Sequence, residues 1–184
     1  MKKIALIIGS NRSQRVSLSI GKWALKQLKS KAFTVDIIDL ADINLPWLDE
    51  PEIPAKGNYR LESTQQWAKL VASYDGFIML YPQYNWGYPA VLKNALDSLY
   101  AEWHNKPVSL ISYGSHGGFQ GMQAMRWVLA GLKMKPLATQ VGLIMTDDMV
   151  NEAGQFIDID AALANQSFNL DLLRQNFEQE LAKK

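Results

Sequence analysis

Three short stretches of this chain concentrate the residues that could do chemistry. The most informative is PQYNWGYPAVLKNAL, Pro82 to Leu96. It follows the apolar run Phe77–Tyr81, turns through Pro, Asn and Gly, and enters a helix at Pro89. A loop in that place lies at the carboxyl end of a strand, where open α/β sheets bind ligands. It holds aromatic rings, amides and tight backbone, with no acid, thiol or hydroxyl pair arranged for attack. Backbone amides there can donate to ring nitrogens and carbonyl oxygens, Asn85 can donate and accept, and Tyr84 or Trp86 can cover a ring face. Such a surface suits a flat polar ring better than acid–base hydrolysis. Ordinary core packing is the alternative for the two aromatics.

The second stretch is GSNRSQRVS, Gly9–Ser17, which follows the first apolar run and opens the first helix. A helix N-terminus offers free N–H groups and partial positive charge, a natural phosphate site. Ser10, Ser13 and Ser17 add hydroxyl donors, and Arg12 and Arg15 can grip phosphate oxygens in pairs. Capping by one serine beside two solvated arginines is the competing explanation. The loop has neither Gly-x-Gly-x-x-Gly nor Gly-x-x-x-x-Gly-Lys-Ser/Thr, which argues against a dinucleotide fingerprint and a nucleoside-triphosphatase loop. What remains is a single terminal phosphate, as on a mononucleotide. The third stretch, Ser112 to Gly118, ends the fourth apolar run. Its glycines allow backbone to approach a ligand closely. His116 is either a proton donor near a reduced ring or a loop residue with a structural hydrogen bond.

These stretches need a scaffold that brings them together. Candidate strands are Ile4–Ile8, Val35–Leu40, Phe77–Tyr81, Val108–Ile111 and Ala138–Met145, continuous in apolar residues as doubly covered parallel strands should be. Helical stretches fall between them, at Ser17–Lys29, Glu62–Tyr74, Pro89–Trp103 and Gln120–Gly131, with a last one at Asp160–Ala182. Leu92, Ala95, Leu96 and Leu99 share one helix face, as do Phe168, Leu172, Leu173 and Phe177. Pro89 suits a helix start and Gly131 a helix stop. The β-then-α order predicts an α/β fold: a three-layer α/β/α sandwich around a five-stranded parallel sheet of order 2-1-3-4-5. In that order strands 1 and 3 are neighbours, so the Pro82 loop stands beside the phosphate loop. Ala41 to Arg60 is a long connection that three prolines keep from being helical. It is expected to be a lid, a binding surface, or a wrap with Leu45, Trp47 and Leu48 tucked onto the body.

The whole chain of 184 residues, 48% hydrophobic and 20% charged, suits one domain over residues 1–184. A net charge of +1 gives no reason to expect nucleic acid or a membrane surface. No segment has spanning length, and a cytoplasmic location is expected. With no cysteine and two histidines, no transition-metal site is expected.

On GSNRSQRVS, PQYNWGYPAVLKNALD and SYGSHGG, in that order and spacing, the chain resembles the NADPH-dependent FMN reductase family, flavodoxin-like NAD(P)H:quinone and azo reductases. The resemblance implies non-covalent FMN, with NADPH or NADH as co-substrate. It implies that Ser10, Arg12, Arg15, Val16 and Ser17 hold the phosphate. Pro82, Gln83, Tyr84 and Asn85 would hold the isoalloxazine ring from one side, and Gly114, Ser115, His116 and Gly117 from the other. The implied activity is ping-pong hydride transfer to quinones, flavins, azo dyes or similar small acceptors, with no protein acid or base required. A homodimer or homotetramer is also implied, with contacts along Pro89–Trp103 and Gln120–Gly131 and Trp103 and Trp127 as anchors. The alternatives are a flavodoxin-type one-electron carrier and a flavin-binding or structural member without reductase activity. Arg12, Arg15 and the near-neutral charge argue against the carrier. The family often has Glu at the position of Gln83 and a smaller residue at that of Trp86, which keeps the last alternative open. A receiver domain would need acidic residues where Gly9-Ser10 and Tyr81-Pro82 stand.

Overall fold

The computed structural model describes residues 1–183. Ile4 to Ile8 are buried to within 1% of complete, as a strand with both faces covered requires. They belong to β1 (Lys2–Ile8), which lies between β2 (Phe33–Asp39) and β3 (Gly76–Pro82); β4 (Pro107–Gly114) follows β3. The outer edge is shared by β5 (Lys135–Pro136) and β6 (Val141–Ile144), both paired with β4. All pairings are parallel and the order is 2-1-3-4-5, as predicted.

The expected fifth strand, Ala138–Met145, is therefore shortened to β6, and the rest of the edge is supplied by β5, which lies just before the predicted range. Val108 pairs with Pro136 and Ile111 with Val141, so two residues of β4 face four of the edge. The extra backbone is satisfied from outside the ladder. Ser109 Oγ donates to Thr139 O at 2.6 Å, and Thr139 N–H donates to Asn176 Oδ1 at 3.0 Å. A bulge of this kind terminates pairing without leaving buried groups unmet.

The helices are α1 (Ser17–Gln27), α2 (Leu40–Ile43), α3 (Glu62–Ala72), α4 (Ala90–Asp97), α5 (Phe119–Gly131), α6 (Ile159–Ala162) and α7 (Ser167–Ala182). Alternate residues of the strands point to opposite faces. Ala5, Ile7, Phe77, Met79 and Tyr81 meet α3, α4 and α5 on one face. Ile4, Leu6, Ile8, Ile78 and Leu80 meet α1 and α7 on the other. The result is the expected three-layer sandwich.

α1 and α3 each end two residues before their predicted limits, and two further helical stretches are broken. The stretch Pro89–Trp103 stops at Asp97 and resumes as a single tight turn at Ala101–Trp103. Its last carbonyls are claimed by indoles: Trp67 Nε1 donates to Ala95 O at 2.8 Å and Trp103 Nε1 to Leu96 O at 3.1 Å. Carbonyls left over at a helix end need partners, and here buried tryptophans supply them. Pro89 is the capping residue, extended at φ −62° and ψ 145°, one place before the first helical residue. The final stretch Asp160–Ala182 breaks into α6, a tight turn at Ala164–Gln166, and α7. Leu170, Leu173 and Phe177 form its buried face, whereas Phe168 is 69% exposed. Gly131 does end α5, but the left-handed residue that stops the helix is Lys133, at φ 54°.

Trp103 is 0% exposed, so it is not an interface anchor. It packs edge-on to Phe77 at 4.9 Å and to Trp67 at 6.2 Å. Trp103→Ala is expected to lower unfolding free energy by about 3–5 kcal/mol, measured by denaturant titration.

Candidate functional site

β1, β3 and β4 end side by side, and each end runs into one of the three chemistry-bearing stretches. The first loop leaves β1 at Gly9, whose N–H donates to Leu80 O at 2.7 Å and so extends the β1–β3 ladder. A Cβ at Gly9 would stand 2.9 Å from Leu92 Cδ2, which is why α4 can pass so near the loop. Val16 caps α1 without a side-chain hydrogen bond. Buried beside this uncapped end are Ser10 Oγ, Ser17 Oγ and Arg15 Nε; none has a partner at hydrogen-bond geometry, although the two hydroxyls lie beside the Tyr113 phenol.

The two arginines are not equivalent. Arg15 Nη2 donates to Asp39 Oδ2 at 2.6 Å and Nη1 to Arg12 O at 3.3 Å. Asp39 is 7% exposed, ends β2, and also accepts from Ala41 N–H at 3.1 Å, capping α2. Arg15 is thus fixed with Nε still available. Arg12 is exposed and makes no ion pair among the described residues.

The second loop is a tight hairpin. Tyr84 N–H donates to Gly87 O at 3.1 Å and Gly87 N–H to Tyr84 O at 2.8 Å. Asn85 and Trp86, between them, lie at φ 48° and 63°. Two successive positive φ values match the I′ turn that suits strand twist. Neither aromatic is core: Tyr84 is 37% exposed and Trp86 71%. Gln83 anchors the hairpin, its N–H donating to Tyr113 O at 2.9 Å and its Oε1 accepting from Gly121 N–H at 2.8 Å. That acceptor serves the first turn of α5, so the Gln83 side chain is turned away from the cleft. In the third loop Gly117 and Gly118 have φ 69° and 68°. Ser115 Oγ lies 3.0 Å from His116 Nδ1, and both residues are exposed. The two loops meet where a Cβ on Gly114 would stand 3.7 Å from Gln83 Cβ.

Ser10, Arg12, Arg15, Val16, Pro82 and Tyr84 line one cavity of about 400 Å³. Asn85 sits at the hairpin tip, and Gly114 to Gly117 form the adjacent loop rather than this cavity's wall. Sequence reasoning missed several neighbours. Tyr113, 8% exposed, lines the cavity with its phenol beside the Ser10 and Ser17 hydroxyls. Burial pushes that phenol up to about 12, while the two serine hydroxyls and the Arg12 charge pull the other way. It therefore stays neutral at physiological pH. Its signal was its place one residue before Gly114. Asp39 was signalled only as the acid ending an apolar run. Asn151, Glu152 and Gly154 also line the cavity, from a hairpin closed by the Val150–Phe156 bridge, as does Asp147 from the short turn Asp147–Met149 just before it. No periodicity or motif marks that segment.

Among the described residues no cluster of acidic and histidine side chains could hold a metal, and no helix is long and apolar enough to cross a membrane.

A family model for NADPH-dependent FMN reductases matches residues 2–147. The chain belongs to that family. It is 41% identical over 151 residues to an NAD(P)H-dependent FMN reductase of Schizosaccharomyces pombe, covering 80% of this chain and 76% of that one. It is 38% identical over 144 residues to an NAD(P)H-dependent FMN reductase of Saccharomyces cerevisiae, covering 72% and 75%. An FMN-dependent NADPH-azoreductase of Staphylococcus aureus is 28% identical over 156 residues, covering 82% and 81%. In fold, the chain is similar to the flavoenzyme NAD(P)H:(acceptor) oxidoreductase of Paracoccus denitrificans, with TM-score 0.72 at 21% identity, covering 97% and 98%. The family is FMN- and NAD(P)H-dependent, and its members are oxidoreductases. The match ends at Asp147, three residues before the Val150–Phe156 hairpin.

Asp39→Ala removes the partner of a largely buried guanidinium. The expected loss of unfolding free energy is about 1–3 kcal/mol, read by chemical denaturation of FMN-free protein.

Proposed function

We propose that the cleft binds FMN non-covalently and that the chain reduces small acceptors of the quinone or azo type at the expense of NAD(P)H. One observation carries this reading. Ser10 Oγ, Ser17 Oγ and Arg15 Nε are buried at the start of α1 with no partner of their own. Unpartnered buried donors are costly, each by about 1–3 kcal/mol, and a phosphate in the cavity that Ser10 and Arg15 line would meet those two, with Ser17 behind them at the start of α1. Arg12 stands exposed at the same cavity, free to add a charge-assisted contact. The residues present thus fit the phosphate end of the cofactor.

FMN, when bound, would supply two-electron transfer between reductant and acceptor, which would react with it in turn. The chain's own part is placement. Ser10, Arg12, Arg15, Val16 and Ser17 hold the phosphate end. Arg15 is aimed by Asp39, and the neutral Tyr113 phenol brings no negative charge near the anion. Pro82, Tyr84, Asn85 and the backbone of Gln83 present one wall to the ring, and Gly114, Ser115, His116 and Gly117 the other. The closed hairpin and the two left-handed glycines fix these walls without a ligand. No side chain is given a proton to move, in keeping with a cleft that holds no paired acid and base.

The proposal includes self-association. Phe119 and Trp127, both on α5, are 59% and 83% exposed, unusual for rings that size. Trp127→Glu is expected to shift the sedimentation coefficient from oligomer to monomer; an unchanged value would remove α5 from the contact.

Two measurements test the function itself. Purified protein should carry a flavin absorbance spectrum that NADPH bleaches anaerobically, and a one-electron carrier would resist that bleaching. Arg12→Ala should weaken FMN binding roughly 10- to 150-fold and leave riboflavin binding unchanged, because riboflavin lacks the phosphate. Equal FMN affinity in both proteins would defeat the assignment.

A further inference from the structure

A second cavity, of about 540 Å³, shares Tyr84 with the anion cradle. That volume is in the usual range for small-molecule pockets, about 300–1,000 Å³. Its walls are the rings of Trp47 and Tyr84, the aliphatic Leu40 and Val91, and the amides of Asn11 and Asn44. It contains no charged lining residue, unlike the neighbouring cradle with its arginines and acids.

Trp47 is the unusual member. It belongs to the long connection after β2, where an apolar ring would be expected to tuck inward, yet it is 71% exposed. Its backbone is nevertheless held on both sides by one side chain. Asn94 of α4, 9% exposed, donates from Nδ2 to Pro46 O and accepts at Oδ1 from Leu48 N–H, each at 2.9 Å. Leu45, next in line, packs against the core. Asn44 is fixed as the left-handed cap of α2, at φ 47°. The chain thus fixes the backbone that carries an indole at the rim of a pocket and leaves the indole itself uncovered. A ligand ring stacking there gains contact area at little cost in ordering the backbone.

We infer that this pocket is the acceptor subsite, with Trp47 as its stacking surface, and that it takes an uncharged flat ring bearing carbonyl oxygens, a quinone. The uncharged lining selects that class. The amides of Asn11 and Asn44 can donate to carbonyls, while the pocket offers no cation to the phosphates of a nicotinamide nucleotide. Tyr84, shared by both cavities, puts the subsite next to the proposed cofactor cleft. The inference rests on the reductase reading above, and the following test separates the two.

Menadione is titrated calorimetrically into oxidised FMN-loaded protein with no reductant present. Trp47→Ala should raise its dissociation constant about 2- to 10-fold, and Trp47→Phe should restore it to within about twofold. FMN affinity and thermal midpoint should not move, since Trp47 is exposed. In turnover, Trp47→Ala should raise KM for menadione by a similar factor and leave KM for NADPH alone. Unchanged menadione binding and KM would overturn the subsite, as would a failure of wild-type protein to bind menadione. A rise in KM for NADPH only would assign the pocket to the nicotinamide nucleotide and overturn it equally. Failure of NADPH to bleach the wild-type flavin would sink the reductase reading alone, because calorimetric binding is read without turnover.

Discussion

A polar atom shut away from water without a hydrogen bond is among the more costly things a fold can hold, at about 1–3 kcal/mol each. The mouth of this sheet holds three within one loop: two serine hydroxyls and a guanidinium nitrogen. Much of the surrounding architecture serves to keep them there. Parallel pairing of β1 with β3 brings the Gly9 loop beside the Pro82 hairpin. The absence of a Cβ at Gly9 lets Leu92 of α4 press close to the loop. Asp39 reaches across from the end of β2 to keep Arg15 in place.

The proposed attraction of this mouth for an anion is directional rather than a matter of net charge. Arg12 and Arg15 are offset by Asp39, which pairs with Arg15, and by Asp147 and Glu152 across the cavity. A cleft so balanced does not draw anions by long-range field. It can still hold one that satisfies its oriented N–H and O–H groups, and that favours a particular shape over any polyanion. The neighbouring pocket follows a different rule, with aromatic area and amides in place of charge.

Most of this could be read from the residues, and the failures have physical causes. Continuous apolar runs located five of the six strands, missing only the exposed two-residue β5, and the β-then-α order fixed the sheet sequence, because parallel strands buried on both faces leave little freedom. The helix ends were misjudged where tertiary partners took over. Periodicity carries Pro89–Trp103 as one unit, but indoles from elsewhere in the chain claim the carbonyls that a continuing helix would use. The split edge strand depends on Ser109 and Asn176, which are distant in sequence. At the site, glycine, serine and arginine spacing marked the first loop, which we propose holds the phosphate. Nothing local told Arg15 from Arg12, since their difference is made by Asp39, 24 residues later. Trp103 and Trp127 look alike in sequence, yet one is fully buried and the other 83% exposed. The acidic hairpin has no pattern of its own and was invisible.

The Tyr84–Gly87 turn is closed by its own pair of backbone bonds and holds two side-chain-bearing residues in a conformation that usually belongs to glycine. That backbone cost is met during folding, before any guest arrives. Little disorder is left for a visiting molecule to remove, so capture at this wall is limited by diffusion and fit rather than by waiting for a loop to assemble.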